Sequence, residues 1–208
     1  SMAMLDARFP DDSVANRCAV LLSVPEAGRN DLWQQNALAI WQHEAKPATH
    51  CQRVFDALNQ RQAFSAQQLW QRFDRLLADG AIDRMPELIA RFSGPDALLA
   101  QQYAGYLGKP QVLPVSWPVN VRSSAVLSKG LMAYARNNAT QAEALLAGAS
   151  KAYAFTPEQN AAVQSEIALW SLVHYEPTAE SRFFIVPEKS RNANLREWYM
   201  RYLFTQNE

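Results

Sequence analysis

Apolar residues recur along this chain at intervals of three and four, the spacing that lays one stripe along a helix. Between Arg29 and His43, the residues Trp33, Ala37, Ile40 and Trp41 share a face, and Val54, Phe55 and Leu58 mark the next helix behind a Thr49 cap. Ser65 and Gln68 form a capping box, flanked by Phe64 and Leu69 at the staple positions. The stripe it opens runs through Leu69, Phe73, Leu76 and Leu77 to Gly80 at C′. Met85, Leu88, Ile89 and Phe92 continue the series. Gly94-Pro95 sets proline at N1 of a further helix bearing Leu99, Tyr103, Tyr106 and Leu107. Leu127, Leu131 and Tyr134 mark another, and Ala142, Leu145, Leu146 and Ala149 the one after it. Thr156-Pro157-Glu158-Gln159 supplies cap, N1 proline and box residue for a long helix faced by Val163, Ile167 and Trp170. Leu195, Trp198, Tyr199 and Tyr202 mark the last. Only Arg182 to Val186 fits a strand as well as a short helix.

About nine helical stretches with no clear strand predict an all-α chain of αα-hairpins packed in sequence order. The hairpin period of roughly 30–35 residues favours a superhelical αα-hairpin array, an α-solenoid arc, over a closed bundle. Lys109 to Val119 breaks the pattern: Pro110, Pro114 and Pro118 each remove a donor and push the preceding residue out of the α region. The expected organisation is a first helical sub-bundle over residues 1–108, a proline-rich link over 109–119 and a second sub-bundle over 120–208, within one continuous superhelical domain. The chain stops after Phe204 without a polar capping helix, as a cut array would, and apolar end faces predict self-association.

Composition narrows the functional classes. Of 208 residues, 49% are hydrophobic, which argues for a packed core. Twenty basic and twenty acidic residues cancel, and no Lys/Arg run offers a footprint for nucleic acid or anionic lipid. No apolar run reaches the roughly 20 residues that span a bilayer. The opening Ser1-Met2-Ala3-Met4 reads as a remnant of cloning rather than a leader, which places the natural start upstream.

The chemistry-bearing motifs are missing from the sequence. There is no phosphate loop, dinucleotide fingerprint, His-Glu-x-x-His or Cys-x-x-Cys, so no catalytic residue, cofactor or metal site is expected. His43, His50 and Cys51 do not make the four converging ligands of a structural metal, and His174 reads as a partly buried packing residue. Asp79, Asp83, Glu143 and Glu166 read as solvated carboxylates. Of six tryptophans, Trp33, Trp41, Trp70, Trp170 and Trp198 lie on or beside apolar stripes and read as core. Trp117, in the proline segment, is left as the candidate exposed contact.

Cys18 and Cys51 are the only cysteines. Two separate buried thiols and a disulfide between neighbouring helices both fit their spacing. The order from Cys18 through Leu32-Trp33-Gln34-Gln35-Asn36-Ala37-Leu38-Ala39-Ile40-Trp41 to Cys51-Gln52-Arg53-Val54-Phe55-Asp56-Ala57-Leu58 resembles the N-terminal superhelical region of the soluble lytic murein transglycosylases. Trp70-Gln71-Arg72-Phe73 and Leu76-Leu77-Ala78-Asp79-Gly80 extend the likeness, which is clearest over residues 14 to 92. The resemblance implies a bacterial periplasmic enzyme acting on peptidoglycan glycan strands, with a helical scaffold and a separate lysozyme-like catalytic domain. It also implies a Cys18–Cys51 disulfide. The family's Glu-Ser pair and following Gly-Leu-Met-Gln are not reproduced. Gly130-Leu131-Met132 is followed by Ala133, and Glu180-Ser181 comes after it, so no catalytic residue carries over. The expected partners are glycan strands, the chain's own catalytic domain or other proteins. The rival expectation is a periplasmic adaptor that binds peptides on a polar face containing Asn137, Asn138, Arg191 and Asn192.

Overall fold

The computed structural model describes residues 13–43, 51–61 and 64–206, leaving Thr49 and His50 outside the described residues. Among the described residues there are eleven α-helices, three 3-10 turns and no strand. The helices are α1 (Val14–Ser23), α2 (Asp31–His43), α3 (Cys51–Gln60), α4 (Ala66–Ala78), α5 (Met85–Ile89) and α6 (Gly94–Gly108), followed by α7 (Val121–Ala135), α8 (Ala139–Ala152), α9 (Pro157–Val173), α10 (Ala179–Ile185) and α11 (Ala193–Gln206). The Arg182–Val186 run belongs to a short helix, α10, closed by Val186 in extended conformation.

Local hydrogen bonding sets the helix boundaries where the sequence places them. Ser65 and Gln68 make the reciprocal capping box of α4, and Thr156 and Gln159 make that of α9. Gly80 takes φ +69° after α4, and Ala81 N–H returns to Leu76 O at 2.9 Å, the six-to-one bond that closes a helix with a left-handed residue. The same closure follows α8 and α9, but Ala154 and Tyr175 hold the left-handed position there, at φ +50° and +54°.

The chain divides into two compact units, residues 1–100 and 101–208, so the division falls between Ala100 and Gln101 inside α6. In the first unit α1 packs on α2 and α3, α2 on α3 and α4, and α4 on α5. Cys18 and Cys51, both fully buried, are joined as a disulfide that ties α1 to α3. Trp33 on α2 is buried, donates its indole N–H to Leu21 O of α1 at 2.9 Å, and lies against the guanidiniums of Arg29 and Arg61. Short helices bury little surface each, and a cross-link between two of them removes chain entropy from the unfolded state.

In the second unit α9 is the hub, packing against α7, α8, α10 and α11. Its buried residues Ala161, Val163, Ile167, Ala168, Ser171 and Leu172 are spread around the axis, the pattern of a helix covered on several sides. Ala168 and Leu172 meet Ala179, Phe183, Val186, Leu195 and Tyr202 in one core.

The proline segment 109–119 lies within the second unit. Tyr153 donates its hydroxyl to Pro114 O and Ser123 its hydroxyl to Pro118 O, each at 2.6 Å. Tyr103 lies 2.7 Å from the same Ser123 oxygen and acts as donor, because the serine proton is already engaged. These bonds hold Trp117 inward at 8% exposure, with its ring edge-on to Tyr103, Tyr106 and Tyr153. Trp117 is therefore a core residue, correcting the expectation of an exposed contact. The large apolar side chains that the segment exposes are aliphatic instead: Val112, Val115, Val119 and, just beyond it, Val121.

Gly130 on α7 lets Tyr106 approach its backbone. A Cβ there would stand inside van der Waals contact of the Tyr106 ring and 3.2 Å from Pro110 Cβ. The ring cannot swing away, because Trp117 stands on it. Gly130→Ala is therefore expected to destabilise by about 1–2 kcal/mol, overpacking outweighing the gain in helix propensity; urea unfolding followed by circular dichroism measures it. Reducing Cys18–Cys51 is expected to lower stability by about 3–4 kcal/mol. Urea midpoints with and without reductant test this, and an unchanged midpoint would show that the bridge constrains nothing.

Candidate functional site

The sequence-predicted chemistry disperses when placed in the fold. His43 ends α2 at the surface, and His174 closes α9, exposed beside Trp170 at 5.9 Å between ring centroids. The reading of His174 as partly buried is thus corrected: α9 stops at that point and the imidazole projects past the core. Asp79 pairs with Arg75 at 2.7 Å, and Glu166 accepts the Trp170 indole N–H at 3.0 Å. Among the described residues no group of three or more His, Cys, Asp and Glu side chains gathers as a metal set. None of their helices is long and apolar enough to cross a membrane. Asn192 caps α11 by accepting Leu195 N–H, and Arg191 is engaged by the carbonyls of Val186 and Phe184 and lies over Phe183.

What the fold assembles instead is a polar knot around Arg182. This side chain is 4% exposed, and all five of its guanidinium N–H groups meet acceptors. Glu143 Oε2 receives Nε at 3.0 Å and Nη2 at 2.8 Å, while Thr140 Oγ1 receives the second Nη2 proton at 2.8 Å. Nη1 donates to Ser171 Oγ at 2.8 Å and to the Glu176 carboxylate. Ser171 in turn donates to Ile167 O at 2.8 Å. One cation thereby fastens α8, α9, the turn after α9, and α10.

Burying a guanidinium costs several kcal/mol unless its donors are matched, and here every donor is. The carboxylates are wetter than the cation: Glu143 is 44% exposed and Glu176 25%. With two carboxylates facing one guanidinium, the knot carries one excess negative charge at its outer edge.

Glu143 and Arg182 of the knot line one end of a cavity of about 340 Å³ between α8, α9 and α10. The volume lies at the lower end of small-ligand sites, about 300–1,000 Å³. Leu146, Ala147, Ile167 and Ile185 give it an apolar middle, and Ser150, Lys151, Asn160 and Gln164 a polar far end. Ile185 remains 57% exposed, an apolar side chain on the rim. A smaller recess of about 40 Å³ in the first unit is lined by Arg72, Arg84 and Arg91 beside Trp41 and Phe55. Burial lowers the Arg91 pKa, opposed by Asp56 and Glu87, and its guanidinium stacks on Phe64 at 5.3 Å. Arg72, itself buried, lies over the Trp41 ring. Of these arginines Arg72 is buried, while Arg84 and Arg91 remain partly exposed at the recess.

Sequence reasoning named Glu143 and Arg182 but did not join them. Their separation of 39 residues leaves no local signal, and only a buried arginine at a helical position would have hinted at a partner. Arg182→Lys is expected to cost about 1–2 kcal/mol, since a point-like ammonium cannot reach all the acceptors. Arg182→Met is expected to cost about 3 kcal/mol, below the full penalty for a broken buried pair because the carboxylates keep water. Urea midpoints of both variants check this order. No family model, curated protein or solved structure matches the chain.

Proposed function

We propose that the chain is the non-catalytic scaffold region of a periplasmic lytic murein transglycosylase, a superhelical array of αα-hairpins. It holds peptidoglycan glycan strands for a separate lysozyme-like catalytic domain. The observation that carries the reading is the Cys18–Cys51 disulfide. A bridged pair suits an oxidising compartment outside the cytoplasm. It is also the pairing that the resemblance implies. Ala37, Trp41 and Phe55, which carry that resemblance, are all buried on α2 and α3.

Further support comes from how the helices pack within each unit. Several helices contact their neighbour in sequence, as α1 does with α2 and α7 with α8, and some the next but one, as α1 does with α3 and α7 with α9. Stacked hairpins pack in this way. The adaptor alternative relied on a polar face containing Asn137, Asn138, Arg191 and Asn192. Of these, Arg191 and Asn192 have their side chains occupied at the start of α11, which favours the scaffold reading.

Mixed with insoluble purified peptidoglycan, the chain is expected to sediment with it and to release no anhydro-muropeptides detectable by chromatography. Recovery of all the protein in the supernatant would overturn the glycan-holding role. Release of those products by the chain alone would overturn its non-catalytic character.

A further inference from the structure

The groove between α8 and α9 has a direction, set by helix geometry. Glu143, Leu146, Ala147, Ser150 and Lys151 lie on one face of α8, at i, i+3, i+4, i+7 and i+8. At 1.5 Å per residue, Glu143 and Lys151 stand about 12 Å apart along the axis. Because α8 and α9 pack together and are joined only by residues 153–156, they run antiparallel. Asn160, near the start of α9, therefore lies toward the Lys151 end. Ser171, near its finish, lies toward Glu143, where it shares Arg182 with that carboxylate.

Each end has its own charge. At one end Glu143 and Arg182 line the groove. Glu176, outside the lining, also pairs with Arg182, so the knot as a whole carries one excess negative charge and the Arg182 cation is shared between two carboxylates. At the other end Lys151 supplies a cation. Neither Lys151 nor Gln164 makes a side-chain hydrogen bond or ion pair among the described residues, and the Asn160 amide nitrogen is turned to Thr156 O at 3.1 Å, leaving its oxygen as an acceptor. Between the ends the wall is aliphatic, from Leu146, Ala147, Ile167 and the exposed rim of Ile185.

From this arrangement we infer that the groove binds a short zwitterionic peptide with small apolar side chains. Its ammonium lies toward Glu143 and its carboxylate at Lys151. An extended peptide rises about 3.3 Å per residue, so the backbone of three residues spans about 10 Å and leaves its two charged termini within contact distance of ends about 12 Å apart. Asn160 and Gln164 provide the amide acceptor and donors that a peptide bond requires. A dicarboxylate would set one of its charges against the acidic end, and a purely apolar ligand would leave Lys151 unused. The inference goes beyond the scaffold role and does not require it.

Trialanine is the probe, titrated into the intact chain and followed by calorimetry and by amide shifts in NMR spectra. Saturable binding is expected, with shifts confined to α8, α9 and α10. Trialanine amide, which lacks the carboxylate, is expected to bind at least about tenfold more weakly, the loss of one charge-assisted contact. Lys151→Met should show the same loss toward trialanine and no further loss toward the amide. Ala147 is exposed on the groove wall, so Ala147→Trp should fill the groove and abolish binding with the circular dichroism spectrum unchanged. No saturable binding up to about 10 mM, a range at which even millimolar ligands saturate, overturns the inference. Equal binding of the peptide and its amide overturns it as well. Sedimentation with peptidoglycan is measured separately, and neither result decides the other.

Discussion

Arg182 is the constraint on which the second unit's surface depends. A guanidinium has five donors in a fixed plane, and burying them unmatched would cost more than a small helical unit can spare. Thr140, Glu143, Ser171 and Glu176 therefore have to converge on it, and their convergence fixes α8, α9 and α10 relative to one another. The cavity beside the knot follows from the same geometry. Its acidic end exists because two carboxylates, each still reaching water, answer a single buried cation.

The first unit is held by a different device. It contains α1 and α3, ten residues each, and neither helix alone buries much apolar surface. The disulfide acts on the unfolded chain, limiting the conformations that Cys18 and Cys51 can explore before folding. Trp33 then ties α2 to α1, with its indole N–H satisfied by Leu21 O and arginines against its ring. A covalent staple in one unit and a saturated ion knot in the other solve the same problem of holding short helices in register.

Helix boundaries were legible because their causes lie within a few residues. The boxes of Ser65 with Gln68 and Thr156 with Gln159 are i to i+3 hydrogen bonds, and Gly80 needs only its own backbone freedom. Ala154 and Tyr175 escaped notice, since nothing in their chemistry favours the left-handed conformation that the following packing imposes. The burial of Trp117 is hidden from the sequence for a related cause. Three prolines indicate a non-helical path but carry no information about what covers it, and the covering tyrosines come from α6 and from the end of α8.

The sequence by itself determined that this protein is helical, where most of its helices start and stop, and which faces are apolar. It also supplied the two cysteines, though their pairing followed from resemblance and not from spacing. Only the tertiary structure decided that Arg182 is buried among four acceptors, that Trp117 points inward, and that α8 and α9 leave a groove charged oppositely at its ends. Helix signals arise from contacts between near neighbours in the chain. The knot and the groove arise from side chains up to 42 residues apart, which meet only when α9 is surrounded.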